Sequence, residues 1–346
     1  MSPALRRHLE SLLQRLWYAT DPGLALRALR TGLAPLSALT AAVASRRRAR
    51  LRTLPAPRPP VVVVGNLVAG GAGKTPLVAA IATALARAGL RPGIVASGYG
   101  AARSDARLVR AGDDPAQAGD EPLLLARTTG VPVAAARRRA EAVALLKAAH
   151  PELDLVISDD GLQHAGLARS VELAVFDERG AGNGRLLPAG PLRAPLAQAA
   201  SMDALVLNGD GAAPIPHPRQ YRFRIEPVRF VAVDGRAAPV AAGEFAECVD
   251  GRSLVAVAGT AAPQRFFDAL RGLGLRPRCV ALGDHATLGP DELAALAEAV
   301  VVMTSKDAVK CAAWADDRCW ALEVRAVPEP EFIDWLTETI RGRTLA

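Results

Sequence analysis

Four consecutive valines, Val61 to Val64, run into a glycine-rich turn that closes on Gly73-Lys74-Thr75, and this stretch constrains the chain more than any other. A run of β-branched residues reads as a strand buried on both faces, which in turn demands a parallel sheet covered by helices. The small residues that follow let successive backbone N–H groups turn inward around a phosphate chain, with a helix N-terminus behind them. In such a loop Gly70, Gly71, Ala72 and Gly73 form the cradle, Lys74 reaches the β- and γ-phosphates, and Thr75 offers its hydroxyl to Mg²⁺.

The usual pattern places a glycine five positions before Gly73, where this chain has Val68. The loop is therefore a variant, similar to the glycine-glycine-x-glycine-lysine-threonine form of certain dimeric ATPases. Ala69 stands where that class carries an additional lysine. Composition adds weight to Lys74, because only four of the 42 basic residues are lysine: Lys74, Lys147, Lys306 and Lys310. In so arginine-biased a chain, a retained lysine points to a need for a compact ammonium on a flexible stem.

The net charge of +7 is unevenly placed. Residues 1–60 hold eleven arginines against Glu10 and Asp21, a surplus larger than that of the whole chain. A basic arm on a near-neutral body argues for a surface anchor and against a nucleic-acid groove. Leu5, Leu9, Leu12, Leu13 and Leu16 fall at helical spacing with polar residues between them, as in an interfacial helix. A second apolar stretch, Leu33 to Ala44, is interrupted by Pro35 and is too short to cross a bilayer, which takes ~20 residues. The alternative is a helical hairpin packed on the body with its arginines in water. Cys248, Cys279, Cys311 and Cys319 lack Cys-x-x-Cys spacing, which reads as reduced thiols and argues against structural zinc.

Beyond the loop, short apolar segments alternate with helical ones: Pro92–Ser97, Val131–Ala135, Leu153–Ser158, Val171–Phe176 and Ala204–Leu207. Alternation of this kind predicts an α/β fold with a mostly parallel sheet between helices. Arg219 to Val233 alternates polar and apolar residues, as linking strands do. Ser253–Ala258, Pro277–Leu282, Val300–Thr304 and Arg318–Leu322 then supply a second set of strands, and Glu331–Arg341 a final amphipathic helix. The expected organisation is an arm at 1–58, a phosphate-loop core at 59–218, a second, smaller α/β domain at 219–328 and a C-terminal helix at 329–346.

Asp159 and Asp160 end an apolar strand, the arrangement that holds Mg²⁺ beside a phosphate loop, although Asp-Asp-Gly alone is also an ordinary turn. Asp120 and Glu121 precede an apolar helical run, where a helix cap and a carboxylate accepting a substrate proton are both open readings. Asn183 to Arg193 forms a glycine- and proline-framed loop whose Arg185 and Arg193 suit phosphate or developing charge. Gly283-Asp284-His285 and Thr304 to Lys310 place polar residues after two strands of the second set, where open α/β sheets bind ligands.

GNLVAGGAGKTP, GDEPLLLA, DDGLQH, GNGRLLPAGPLR, AGTAAPQRFF, GDH and MTSKDAVKC, in that order from about Val61 to Cys311, resemble the tetraacyldisaccharide 4'-kinase family of lipid A biosynthesis. The resemblance implies a P-loop-NTPase-like core and ATP-dependent phosphorylation of the 4'-hydroxyl of a tetraacyl glucosamine disaccharide 1-phosphate. Lipid IVA would be the product, made at the cytoplasmic face of the inner membrane by a peripheral or monotopic enzyme. It implies ATP and Mg²⁺, an acylated lipid partner, and neither nucleic acid nor an obligate protein partner. Carried over, Lys74 and Thr75 bind nucleotide and metal, Asp159 and Asp160 serve the metal, and Asp120 is the base, oriented by His285. Arg193 would stabilise the transferred phosphoryl and His164 sit near the metal, with Glu121, Asn183 and Arg185 close to the substrate. Two positions depart from the family pattern: Ser97 where an arginine often precedes Gly-Tyr-Gly, and Ala194 where Glu is common. A membrane-peripheral switch ATPase or GTPase is the alternative from another class, but no Asn-Lys-x-Asp motif supports it. A soluble ligase of the dethiobiotin synthetase type would leave the arm without a purpose.

Overall fold

The computed structural model describes residues 3–98, 105–249, 251–283, 286–296 and 299–344. The arm is helical: α1 (Pro3–Tyr18), α2 (Leu24–Gly32) and α3 (Ala34–Leu51). Pro35 does not interrupt the third helix but starts it, since a proline in the first turn removes only an N–H that has no helical partner there. The core follows as β1 (Val61–Gly65), α4 (Lys74–Arg87), β2 (Pro92–Ala96), β3 (Arg107–Val109), α5 (Pro115–Ala118), α6 (Asp120–Thr129), β4 (Val133–Ala135) and α7 (Arg139–Ala149). β5 (Leu155–Asp159), β6 (Val171–Asp177) and β7 (Ala204–Asn208) complete it.

The long β8 (Gln220–Ala232) leads to β9 (Val240–Ala241), α8 (Phe245–Cys248), β10 (Leu254–Ala258), α9 (Pro263–Gly272), β11 (Arg278–Ala281), α10 (Pro290–Ala294), β12 (Val300–Thr304) and α11 (Ser305–Cys311). β13 (Cys319–Pro328) and α12 (Pro330–Thr344) end the chain.

One sheet runs β11-β10-β12-β13-β8-β7-β6-β1-β5-β2-β4-β3. β7-β6-β1-β5-β2-β4 and β11-β10-β12-β13 are two parallel blocks. β8 joins them, parallel to β7 and antiparallel to β13. Each block carries apolar clusters: Val62, Leu77, Ile81 and Leu85 lie in one on the first block, and Val61, Val63, Val156 and Leu205 in another. Alternate valines of β1 thus enter different clusters, which explains why all four are apolar.

Two expected elements take a definite place in the fold. The alternating segment at Arg219 to Val233 is a single 13-residue strand, with Phe223, Phe230 and Ala232 buried. α12 returns to the first block, where Phe332, Leu336 and Ile340 are fully buried in the cluster that includes Leu85. Their spacing of four puts all three on one helix face.

The arm is both docked and exposed. On α3, Ser37 and Thr40 donate to the Leu186 and Leu187 carbonyls, Ala44 is buried, and Arg48 pairs with the buried Glu172. Leu36, Leu39 and Val43 occupy another face and are 52%, 62% and 37% exposed. Among the described residues, no helix is long and apolar enough to cross a membrane.

Candidate active site

Parallel strands deliver their C-terminal ends to one edge of the sheet, and the loops after β1, β5, β6 and β7 meet there. The glycine loop after β1 is held by its outward carbonyls. Asn66 Nδ2 donates to the Gly70 carbonyl at 3.1 Å, Arg179 to that of Gly71 at 3.0 Å, and Asn208 Nδ2 to that of Ala72 at 3.2 Å. A trans peptide points its N–H opposite its C=O, so three fixed carbonyls also fix the N–H groups of Gly71, Ala72 and Gly73. Gly73 caps α4 with φ +81°, and a Cβ there would lie 2.7 Å from Asn208 Nδ2 and 2.8 Å from Ile225. Val68, the departure from the usual loop, pairs with Leu192 and is buried, so this position serves packing between two loops.

Lys74 Nζ lies 3.1 Å from Asn66 Oδ1 and 3.6 Å from Asp160 Oδ1. Thr75 Oγ1 donates to Asp159 Oδ2 at 2.9 Å, while Asp159 Oδ1 is buried with no hydrogen-bond partner among the described residues. Burial, reinforced by the nearby Glu121 and Asp160 carboxylates and opposed by Lys74, pushes the Asp159 pKa up to about 7. Asp160 goes the other way: burial alone would raise it, but Lys74 and Arg193 outweigh burial and hold it below the ordinary carboxylate value. Asp160 also adopts φ +50°, a left-handed conformation that Asp tolerates better than most residues. Arg193 NH1 reaches Asp160 Oδ2 at 3.3 Å from a loop anchored by its own N–H to the Leu67 carbonyl.

Asp120 is the first residue of α6, with Gly119 taking the cap position. It is buried, and its Oδ1 accepts from the Glu121 N–H at 3.0 Å. Two lysines approach from α11: Lys306 Nζ lies 2.8 Å from Glu121 Oε1 and 3.7 Å from Asp120 Oδ2, and Lys310 Nζ lies 3.9 Å from Asp120 Oδ2. Asp307 steadies that helix start, accepting from Gly259 N–H and Thr304 Oγ1 and pairing with Lys310 at 3.1 Å. The lysine scarcity pointed to Lys74; the same signal marks Lys306 and Lys310, to which the sequence reading assigned no role. The fourth lysine, Lys147, lies exposed on α7. Also missed was Arg139, a buried guanidinium that donates to the Asp159 and Ala136 carbonyls.

Asn183 donates to the Leu16 and Ala189 carbonyls and accepts from the Arg185 N–H, so its side chain ties the loop to the end of α1; Arg185 is exposed. His285, with Asp284, lies outside the described residues, as do Tyr99 and Gly100 of the Gly-Tyr-Gly turn.

His164 is partly buried beside Arg139, and burial first, then that cation, lowers its pKa to about 4 from an ordinary 6.5. Between those values the unfolded chain binds more protons than the folded one, so stability rises with pH across that window and is lost as pH falls through it. The melting temperature is expected to fall more steeply from pH 6.5 to 4 in the parent protein than in His164→Gln; parallel profiles would refute it.

A family model described as tetraacyldisaccharide-1-P 4'-kinase (LpxK) matches residues 29–341. A tetraacyldisaccharide 4'-kinase of Dechloromonas aromatica is 43% identical over 96% of this chain and 98% of its own length. That of Azotobacter vinelandii is 45% identical over 95% of this chain and 96% of its own. The crystal structure of "apo"-form LpxK from Aquifex aeolicus in complex with ATP superposes with a TM-score of 0.72 at 27% identity, covering 91% of this chain and 99% of that one. The fold, its loop edge and these matches along nearly the whole length agree: the chain belongs to the tetraacyldisaccharide-1-P 4'-kinase family.

Proposed function

We propose that this kinase moves the γ-phosphoryl group of ATP to the 4'-hydroxyl of a tetraacyl glucosamine disaccharide 1-phosphate, giving lipid IVA and ADP. The observation that carries the reading is the convergence of Lys74, Thr75, Asp159 and Asp160 at the ends of β1 and β5. Asp120 and Glu121 lie on the adjoining helix α6, and Glu121 is close enough to raise Asp159. Phosphoryl transfer depends mainly on positioning and charge stabilisation, and this set supplies both.

The N–H groups of the glycine loop and Lys74 hold the nucleotide phosphates. The buried Asp159 Oδ1, together with the Thr75 hydroxyl and Asp160, forms an all-oxygen set that suits Mg²⁺. Bound there, Mg²⁺ would neutralise charge on the β- and γ-phosphate oxygens. Asp120 takes the proton of the 4'-hydroxyl as the sugar oxygen bonds to phosphorus and the bond to the ADP oxygen breaks, and His285 orients Asp120 from the second half of the chain. Arg193 neutralises charge on the phosphoryl in transit, Glu121 and His164 lie close to that site, and Asn183 holds the loop that turns Arg185 toward the lipid.

The test uses purified protein in detergent with ATP, Mg²⁺ and the tetraacyl disaccharide 1-phosphate. A phosphorylated lipid with ADP in equal amount is expected. Nucleotide binding without lipid phosphorylation would refute the assignment.

The arm brings this soluble chemistry to an acylated substrate at the cytoplasmic face of the inner membrane. Its exposed Leu24, Leu36, Leu39 and Val43 supply apolar area, and the exposed Arg46, Arg47, Arg50 and Arg52 suit anionic headgroups. Changing Leu36, Leu39 and Val43 together to Glu leaves the docking face of α3 intact and is expected to move the protein from the membrane to the soluble fraction. An unchanged distribution would sink the anchor.

A further inference from the structure

Three consecutive carbonyls of the glycine loop are fixed by side chains, and one of the three donors differs from the others in what else it touches. Asn66 and Asn208 belong to the core strands' own ends. Arg179 meets the arm as well, and its carboxylate partner Asp177 is also reached from the second half of the chain. Its Nε lies 3.1 Å from each Asp177 oxygen, and NH2 donates to Asp177 Oδ2 at 2.6 Å and to the Gly71 carbonyl at 3.0 Å. Its guanidinium carbon is 5.6 Å from the ring centroid of Tyr18, the last residue of α1. Arg265 of α9 reaches the same Asp177 Oδ2 at 3.1 Å.

The close approach to the loop has a backbone signature. Gly70 has φ +108°, and a Cβ there would lie 3.2 Å from Arg179 NH1. The end of α1 is itself pinned: the Trp17 carbonyl accepts from the Asn183 N–H at 2.9 Å, and Trp17 Nε1 donates to the Pro188 carbonyl at 3.0 Å. The backbone that carries the Tyr18 ring is thus anchored, and a guanidinium over an aromatic face gains both attraction and orientation.

We propose that Arg179 is a positioning residue for the glycine loop and that Tyr18 acts through it, so that the seating of the arm sets the loop's affinity for nucleotide. Arg179 holds the Gly71 carbonyl outward, which holds the Ala72 N–H inward toward the phosphates. Without the Tyr18 ring the guanidinium keeps Asp177 but loses the surface that aims its second bond at Gly71. The inference rests on the glycine loop being the ATP site.

The test is steady-state kinetics of the full-length protein in detergent, with ATP and lipid varied separately, together with binding of a fluorescent ATP analogue in the absence of lipid. Arg179→Lys keeps the charge and loses the planar fork; it is expected to raise the KM for ATP and the analogue Kd about tenfold, the weight of a charged hydrogen bond, with the lipid KM changed less than about twofold. Tyr18→Ala is expected to raise both about three- to fivefold, and Tyr18→Phe to restore them, because the ring is what the cation uses. The double variant Tyr18→Ala/Arg179→Lys is expected to be no weaker than Arg179→Lys alone.

Unchanged nucleotide affinity in Arg179→Lys would overturn the inference. So would a Tyr18→Ala effect that multiplies fully onto Arg179→Lys, or one that lowers melting temperature and impairs both substrates equally. Lys74→Ala in the same binding assay separates the two levels. If it weakens nucleotide binding while Arg179→Lys does not, the positioning role alone is wrong; if it also leaves binding unchanged, the loop assignment falls with it.

Discussion

Replacing Asp120 by asparagine is expected to lower kcat by on the order of 10²–10⁴-fold, the range of a lost general base, while ATP binding stays close to that of the parent protein. The expectation follows from where the carboxylate sits. A helix cap would place Asp120 before α6, but Gly119 has that position and Asp120 is the first helical residue. Its Oδ1 accepts the neighbouring Glu121 N–H at 3.0 Å, a bond that an uncharged acceptor would make equally well. On its other side stand Lys306 and Lys310, 3.7 and 3.9 Å from Oδ2. Two ammonium groups converging from α11 on a buried acid are costly to assemble unless the charge is used, since each gives up hydration. Asparagine keeps the shape and the acceptor while removing the basicity, so the readout isolates proton transfer. Near-normal turnover in Asp120→Asn would demote the residue to a local structural role. A fall in nucleotide affinity as large as the fall in kcat would place its action on binding instead.

The legibility of this molecule differs sharply between levels. Strands and helices of the core were readable because β1, β5 and β6 are buried on both faces and must be continuously apolar, a pattern that periodicity finds easily. The path of β8 was not, because a strand that pairs with β7 on one side and β13 on the other is half-exposed, and alternation cannot say with whom it pairs. The return of α12 to the first block was equally hidden: Phe332, Leu336 and Ile340 announce an apolar face but carry no address.

The site divides in the same way. Lys74, Thr75, Asp159 and Asp160 are adjacent to elements that fix them, so local sequence sufficed. Lys306 and Lys310 reach Asp120 and Glu121 from far along the chain, the Lys306–Glu121 pair being 185 residues apart. Only tertiary structure makes that contact, although the rarity of lysine had already marked both residues. The arm shows the opposite failure. Reading it as either an interfacial helix or a packed hairpin posed a choice that α3 does not force, since one face docks on the body while a neighbouring face leaves Leu36, Leu39 and Val43 exposed.

Lys74→Arg provides the sharpest test of why lysine persists in a chain that otherwise prefers arginine. Its expected effect is a loss of kcat on the order of 10²–10³-fold, the scale of removing one preorganised charge from a developing anion, and nearly as large as that of Lys74→Ala. The reason is geometric. The ammonium sits in a narrow space between Asn66 Oδ1 at 3.1 Å and Asp160 Oδ1 at 3.6 Å, with the side chain 10% exposed. A planar guanidinium is wider, donates in fixed directions, and would meet the Asp160 carboxylate already engaged by Arg193 at 3.3 Å. Charge would be conserved and placement lost. Steady-state kinetics on both variants, with nucleotide affinity measured alongside, separates the two contributions. If Lys74→Arg keeps more than about a tenth of the parent turnover, positive charge alone is sufficient at this position, and the argument from lysine scarcity fails for Lys74 and, with it, for Lys306 and Lys310.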